Sequence, residues 1–258
     1  MFPEFSIGFL HIRTFLLCIC TGFTLGTAFV YLRSKPPRVF EWWIFLLLFW
    51  LFGRLGNELL YSLPQGLEFN AAADGGSSIL GSLLGCLLIV PTLARFNNRP
   101  WRTYADSLVI PLLFLQFCGK LGCFFEGCCF GTESTLSCCV TSHLRPGICL
   151  HPTQLYEASA LAVMLPTLWF MASRSKLGNG MLTGTYCIAY GVERFTVEFF
   201  RGDAVVLNLP GPTAGQLVAM GIFAVGLWVN ISARRSRSRQ GQANKQESIP
   251  NATGPKRG

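Results

Sequence analysis

Seven stretches of this chain are apolar enough, and all but two long enough, to cross a lipid bilayer. That feature decides the fold class, because lipid offers no partner to an unpaired backbone N–H or C=O. A helix satisfies its own backbone and needs about 20 mostly apolar residues to span the hydrocarbon core. The stretches are Ile7–Leu32, Trp42–Tyr61, Gly76–Ala94, Ala105–Phe117, Gln154–Met171, Gly180–Phe200 and Gly215–Ile231. The fourth and fifth are expected to be short or bent. Charged residues are only 13% of the 258, against about 25% in a soluble domain. Too few charges remain to coat a globular surface, and the mean hydropathy is +0.43. Disorder, a coiled coil and a typical cytosolic enzyme are excluded. Repeated strand alternation is absent, which argues against an outer-membrane barrel. The expectation is an all-α integral membrane protein of about seven transmembrane helices, with an outward-facing Cys-rich insertion.

The basic residues orient these spans. Arg33, Lys35 and Arg38 follow the first span, Arg95, Arg99 and Arg102 the third, and Arg174 and Lys176 the fifth. Arg234, Arg235, Arg237, Arg239, Lys245, Lys256 and Arg257 follow the seventh. By the positive-inside rule these loops are cytoplasmic, so the N-terminus faces outward and the C-terminus the cytoplasm. The N-terminus does not read as a signal peptide, having no basic residue before Arg13 and no clear cleavage site. Residues 1–232 are read as a polytopic transmembrane domain, with residues 118–153 as a Cys-rich periplasmic segment within it. Residues 233–258 are read as a disordered basic cytoplasmic tail. The net charge of +8 then follows from topology, with some attraction to anionic membrane lipid, and calls for no nucleic-acid partner.

A few cations are left over. Arg54 falls inside the second span and Arg194 inside the sixth, followed by Glu198 and Arg201; Lys120 lies just after the fourth. A charge at mid-bilayer costs about 2.5–3.5 kcal/mol on insertion scales, so each needs a partner or a wet cavity. Structural ion pairs are one solution, and Arg194 with Glu198 has helical i,i+4 spacing. A cationic pocket for an anionic lipid headgroup is the other.

Two further stretches carry chemistry. Asp74-Gly75-Gly76-Ser77-Ser78 opens the third span; its small residues suit close helix packing or backbone approach to a ligand, and no nucleotide motif accompanies them. The run from Gly119 to Gly131 holds Lys120, Cys123, Cys128 and Cys129, and its glycines predict a poorly continuous helix. The chain has 11 Cys, concentrated between Cys118 and Cys149, with no Cys-x-x-Cys pair to suggest a thioredoxin-like site or a zinc knuckle. In an oxidising space Cys138, Cys139 and Cys149 can form disulfides. Metal ligation by Cys128, Cys129, His143 and His151 is an alternative.

Together these motifs resemble the prolipoprotein diacylglyceryl transferase family of bacterial inner membranes, over roughly Phe5 to Ile231. The carriers are His151-Pro152-Thr153-Gln154-Leu155-Tyr156-Glu157, Tyr190-Gly191-Val192-Glu193-Arg194-Phe195 with Glu198 to Asp203, and Gly53-Arg54-Leu55-Gly56. Asp74-Gly75-Gly76 and Gly215-Gln216 also fit. The resemblance implies transfer of diacylglyceryl from phosphatidylglycerol to a cysteine thiol of a lipoprotein precursor, with glycerol phosphate leaving and no cofactor or metal. It implies catalytic roles for Arg194, Lys120 and His151. Substrate binding would fall to Lys120, Tyr190, Glu198, Arg201, Gly131 and Arg54. The chain departs from the family pattern at five positions. Leu80 stands where the family has an imidazole, Phe15 where it has a tyrosine, Lys120 where it has an arginine, and Cys123 and Cys128 replace an Asn and a Glu in the same motif. A relative that binds anionic phospholipid without transfer, and a thiol- or metal-active membrane protein, are the competing readings.

Overall fold

A computed structural model of the chain describes residues 4–7, 10–33, 37–57, 79–142, 145–174, 179–202 and 212–247. The chain is mostly helical. A hairpin of β1 (Glu4–Ile7) and β2 (Leu10–Arg13) leads into α1 (Thr14–Arg33), then α2 (Pro37–Asn57), α3 (Ile79–Phe96) and α4 (Trp101–Glu126). A second hairpin, β3 (Val140–Ser142) and β4 (Arg145–Leu150), precedes α5 (Thr153–Arg174), α6 (Met181–Glu198) and α7 (Ala214–Glu247). Among the described residues, four helical stretches are long and apolar enough to cross a membrane: Thr14–Arg33, Trp101–Glu126, Thr153–Arg174 and Gly215–Ser236.

Three expectations shift. The first span was expected from Ile7, but Leu10-His11-Ile12-Arg13 alternates apolar and polar residues and pairs antiparallel with β1, Phe5 opposite Ile12. The fourth span was expected to be short and to break at its glycines. Instead α4 continues through Gly119 and Gly122 to Glu126. A Cβ on Gly122 would meet Phe15 at 3.0 Å and Cys18 at 3.1 Å, so the glycine lets α1 lie close, which offsets its propensity cost of about 1 kcal/mol. Third, α7 runs to Glu247, so helix replaces the first part of the tail that was expected to be disordered. Asp74-Gly75-Gly76, His143 and Asp203 lie outside the described residues.

Small residues set the packing. Gly22 and Gly26 on α1 stand four apart, and a Cβ on them would reach Cys118 at 2.9 Å and the Pro111 carbonyl at 3.0 Å on α4. One core gathers Leu113, Leu161, Leu168 and Tyr190 from α4, α5 and α6. Another gathers Trp42, Phe45, Ile89 and Tyr104 from α2, α3 and α4.

The polar contacts sort the helix ends into two groups. At one end Arg33 donates to the Ala172 carbonyl (3.4 Å), Arg99 pairs with Glu41 (3.7 Å) and Arg102 donates to Ser232 (2.8 Å). There Asp106 of α4 caps α6, accepting from the Gly180 and Thr183 amides at 2.9 Å and the Thr183 hydroxyl at 2.7 Å. The other end holds the close of α4, the start of α5, the close of α6 and the start of α7. Buried Glu157, Glu193 and Glu198 lie toward that end.

Candidate active site

Glu157, one turn into α5, has a side chain only 1% exposed. A lone carboxylate so buried is costly; here it is paired twice. Lys120 of α4 meets one oxygen and Arg201, just past α6, the other at 3.3 Å. Arg201 also lies 4.0 Å from Glu198, which takes Arg194 at 2.6 Å across one helical turn. The network thus runs Lys120–Glu157–Arg201–Glu198–Arg194 over three helices. Thr213 donates to Glu198 at 2.9 Å and also caps α7. Its amide donates to Gln216 and its hydroxyl accepts from the Gln216 amide, a reciprocal cap that fixes α7 against the network.

Backbone strands tie the loop after α4 to the end of α6. Gly131 bridges Arg201 in antiparallel fashion and donates its N–H to the His151 carbonyl at 2.8 Å. The Thr132 N–H donates to the Phe200 carbonyl at 2.8 Å, and His151 donates back to Thr132 at 2.9 Å. A Cβ on Gly131 would collide with the Phe200 carbonyl and with His151, so only glycine fits this crossing. The disulfide Cys139–Cys149 closes the nearby β3–β4 region; Cys138 is not part of it.

Beside the network lies a cavity of about 220 Å³ lined by Phe15, Ile19, Leu161, Tyr190, Gln116 and Lys120, among others. Its walls are mostly apolar and Lys120 supplies charge at its edge. Tyr190 stacks on Tyr186, ring centres 5.7 Å apart, and Tyr186 donates to Gln116 at 2.9 Å, so this wall is fixed.

The structure therefore joins Lys120, Arg194, Glu198 and Arg201 in one network, sets Tyr190 on the cavity beside Lys120, and makes Gly131 the crossing that positions Arg201. His151 does not join the charges; its ring is 3.2 Å from the Tyr156 hydroxyl and packs near Phe200, centres 5.2 Å apart. Arg54 lies in the last turn of α2, a helix packed on α3 and α1. Sequence reasoning missed Glu157, the residue on which Lys120 and Arg201 converge. An acid one turn inside an apolar helix was its signal. It also missed Glu193, buried on α6 with neither carboxylate oxygen hydrogen-bonded among the described residues.

A cluster of thiols stands next to Lys120. The Sγ atoms of Cys123, Cys128 and Cys129 lie within 4.8 Å of one another. Cys129 is held below its ordinary thiol range, first by the Cys123 and Cys128 thiols and then by the charges of Lys120 and Arg201. Of the expected metal ligands, Cys128 and Cys129 meet here with Cys123, and His151 is not in the cluster.

Comparison with known proteins identifies the family. The family model for prolipoprotein diacylglyceryl transferase matches residues 4–232. A phosphatidylglycerol–prolipoprotein diacylglyceryl transferase of Rhizobium meliloti is 31% identical, the match covering 90% of this chain and 94% of the relative. The enzyme of the same name from Rhodospirillum rubrum is 32% identical over 90% of this chain and 92% of its own. That of Zymomonas mobilis is 31% identical over 71% and 67%. The chain belongs to the prolipoprotein diacylglyceryl transferase family.

Proposed function

We propose that this protein transfers diacylglyceryl from phosphatidylglycerol to the thiol of a lipoprotein-precursor cysteine, as the names of its relatives state for them. The observation that carries the reading is the position of Lys120, at once on the wall of an apolar cavity and in a buried network with Arg201 and Arg194. Acyl chains demand an apolar surface, and a phosphate-bearing leaving group demands cations. The thiolate attacks the diacylglyceryl carbon that carries the phosphate oxygen. A C–S bond forms, the C–O bond breaks with its electron pair going to oxygen, and the thiol proton ends on the departing glycerol phosphate. Lys120, Arg194 and Arg201 stabilise the negative charge that develops on that phosphate. The same field favours ionisation of the thiol. Glu198 holds Arg194 and Arg201 in place, Tyr190 lines the cavity that takes the lipid, and Gly131 sets Arg201. His151 acts by positioning Phe200 and Tyr156.

In this reading the helices cross the bacterial inner membrane seven times, with the N-terminus periplasmic and the C-terminus cytoplasmic. The end bearing Arg33, Arg99 and Arg102 faces the cytoplasm and the charge network faces the periplasm, where lipoprotein precursors are presented. One observation favours binding without transfer: Lys120, Arg194 and Arg201 are each engaged by Glu157 or Glu198. Labelled phosphatidylglycerol, a peptide with a lipoprotein-type cysteine and the purified protein separate the two readings. Label on the peptide supports transfer, and bound lipid with an unlabelled peptide supports binding alone.

A further inference from the structure

We infer that Cys123, Cys128 and Cys129 form a binding site for a soft monovalent metal ion, with Cu(I) the ion that fits the donor set. The three sulfurs lie within 4.8 Å of one another, a spacing that lets one ion reach all three. Among the described residues no imidazole or carboxylate joins the group. Thiolates suit Cu(I), zinc and iron–sulfur clusters alike; structural zinc and the common clusters take four protein ligands, whereas Cu(I) is content with three, which is the number present here.

The backbone arranges these thiols before any ion arrives. Cys123 sits in the last turn of α4, and Gly127 ends that helix in the left-handed conformation at φ 73°. The chain then folds back, the Cys128 N–H donating to the Cys123 carbonyl at 3.2 Å. Cys129 follows at φ 56°, a left-handed conformation that a non-glycine residue adopts only when its surroundings enforce it. The enforcement is visible. Ser142 donates to the Gly127 carbonyl at 2.7 Å, Gln154 to that of Cys128 at 2.5 Å and Thr153 to that of Cys129 at 2.7 Å. Gln154 and Thr153 are fully buried. Three successive carbonyls are thus clamped by three side chains, and the sulfurs converge from a rigid turn. Outer contacts of this kind orient metal ligands.

Charge and chemistry agree. Three thiolates around one Cu(I) carry a net charge of −2, and the Lys120 ammonium lies one turn before Cys123 on α4, lining the same cavity. On binding, each thiol that coordinates releases its proton to bulk buffer, so uptake is accompanied by acid release. Metal binding here requires neither phosphatidylglycerol nor transfer.

The test uses the full-length, detergent-solubilised protein, reduced and anaerobic, titrated with Cu(I) against a chromogenic Cu(I) chelator. One equivalent should bind. Cys123→Ser, Cys128→Ser and Cys129→Ser should each weaken binding by at least about 100-fold, since even outer-contact changes cost 10–100-fold. Cys187→Ser, on α6 and outside the cluster, should leave it unchanged. X-ray absorption at the copper edge should show three sulfur neighbours; this readout needs no variant and stands if a serine variant misfolds. The inference is overturned if Cu(I) stays with the chelator, if the three variants bind as the unaltered protein does, or if copper shows nitrogen or oxygen neighbours in place of three sulfurs. It is also overturned if the freshly purified protein holds two of these thiols in a disulfide and takes up no Cu(I) after reduction.

Discussion

Lys120 on α4 and Glu157 on α5 form an ion pair in which the carboxylate is almost wholly buried, with a side chain 1% exposed. The pair joins two helices and sets the cation on the cavity wall. Breaking a buried pair by removing one partner typically costs about 3–5 kcal/mol, because the other charge is stranded. Glu157→Leu and Lys120→Met should therefore each lower the thermal midpoint clearly. Together they should cost less than the sum, with a coupling of about 0.5–3 kcal/mol. A thermal-shift double-mutant cycle in detergent measures this, and additive effects would show that the two residues do not support each other.

Gly131→Ala places a methyl group on the Phe200 carbonyl and on His151. Overpacking of this kind costs about 1–3 kcal/mol and moves Arg201, which Gly131 bridges. Gly221→Ala, where a Cβ would meet nothing within 4 Å, should be neutral or slightly stabilising. Melting curves for the two variants should diverge in that direction; matching curves would remove the crossing from the account.

Topology can be read with reporter fusions at Ser34, Asn98 and Ser175. Each follows a helix end grouped with Arg33, Arg99 or Ala172, and all should report the cytoplasm. A periplasmic signal from any one contradicts the seven-span arrangement.

Arg194 is paired within the network by Glu198, while Arg95 lies in the last turn of α3. Arg194→Ala should weaken phosphatidylglycerol binding by roughly 10–100-fold, the worth of a charge-assisted hydrogen bond, and Arg95→Ala should barely change it. Native mass spectrometry with defined lipids reads both. Equal effects would leave no case for a headgroup pocket.

Much of this was legible in the sequence, and the reasons differ by residue. The helices followed from apolar runs, and the candidate cations Lys120, Arg194 and Arg201 stood out because charge is rare in such runs. Their convergence on Glu157 was not legible, since Lys120 and Glu157 come from different helices and only packing brings them together. The length of α4 was misjudged for a similar reason. Gly122 reads as a helix breaker alone and becomes an asset only where Phe15 and Cys18 approach it. The cysteines showed that thiols were abundant, and the grouping of Cys123 with Cys128 and Cys129 depends on the left-handed turn at Gly127 and Cys129.

The central claim is that Lys120 and its partners serve a group transfer from phospholipid to thiol. The direct measurement incubates purified protein with phosphatidylglycerol labelled in its acyl chains and a peptide bearing one cysteine in a lipoprotein-type sequence. Mass spectrometry then looks for diacylglyceryl in thioether linkage. The account predicts modified peptide and one glycerol phosphate released per modification. It predicts no product when the peptide cysteine is serine, and a rate lowered about 100–1,000-fold by Lys120→Ala, the usual cost of losing one electrostatic stabiliser. Phosphatidylglycerol bound by the unaltered protein, with the peptide left unmodified, would contradict it.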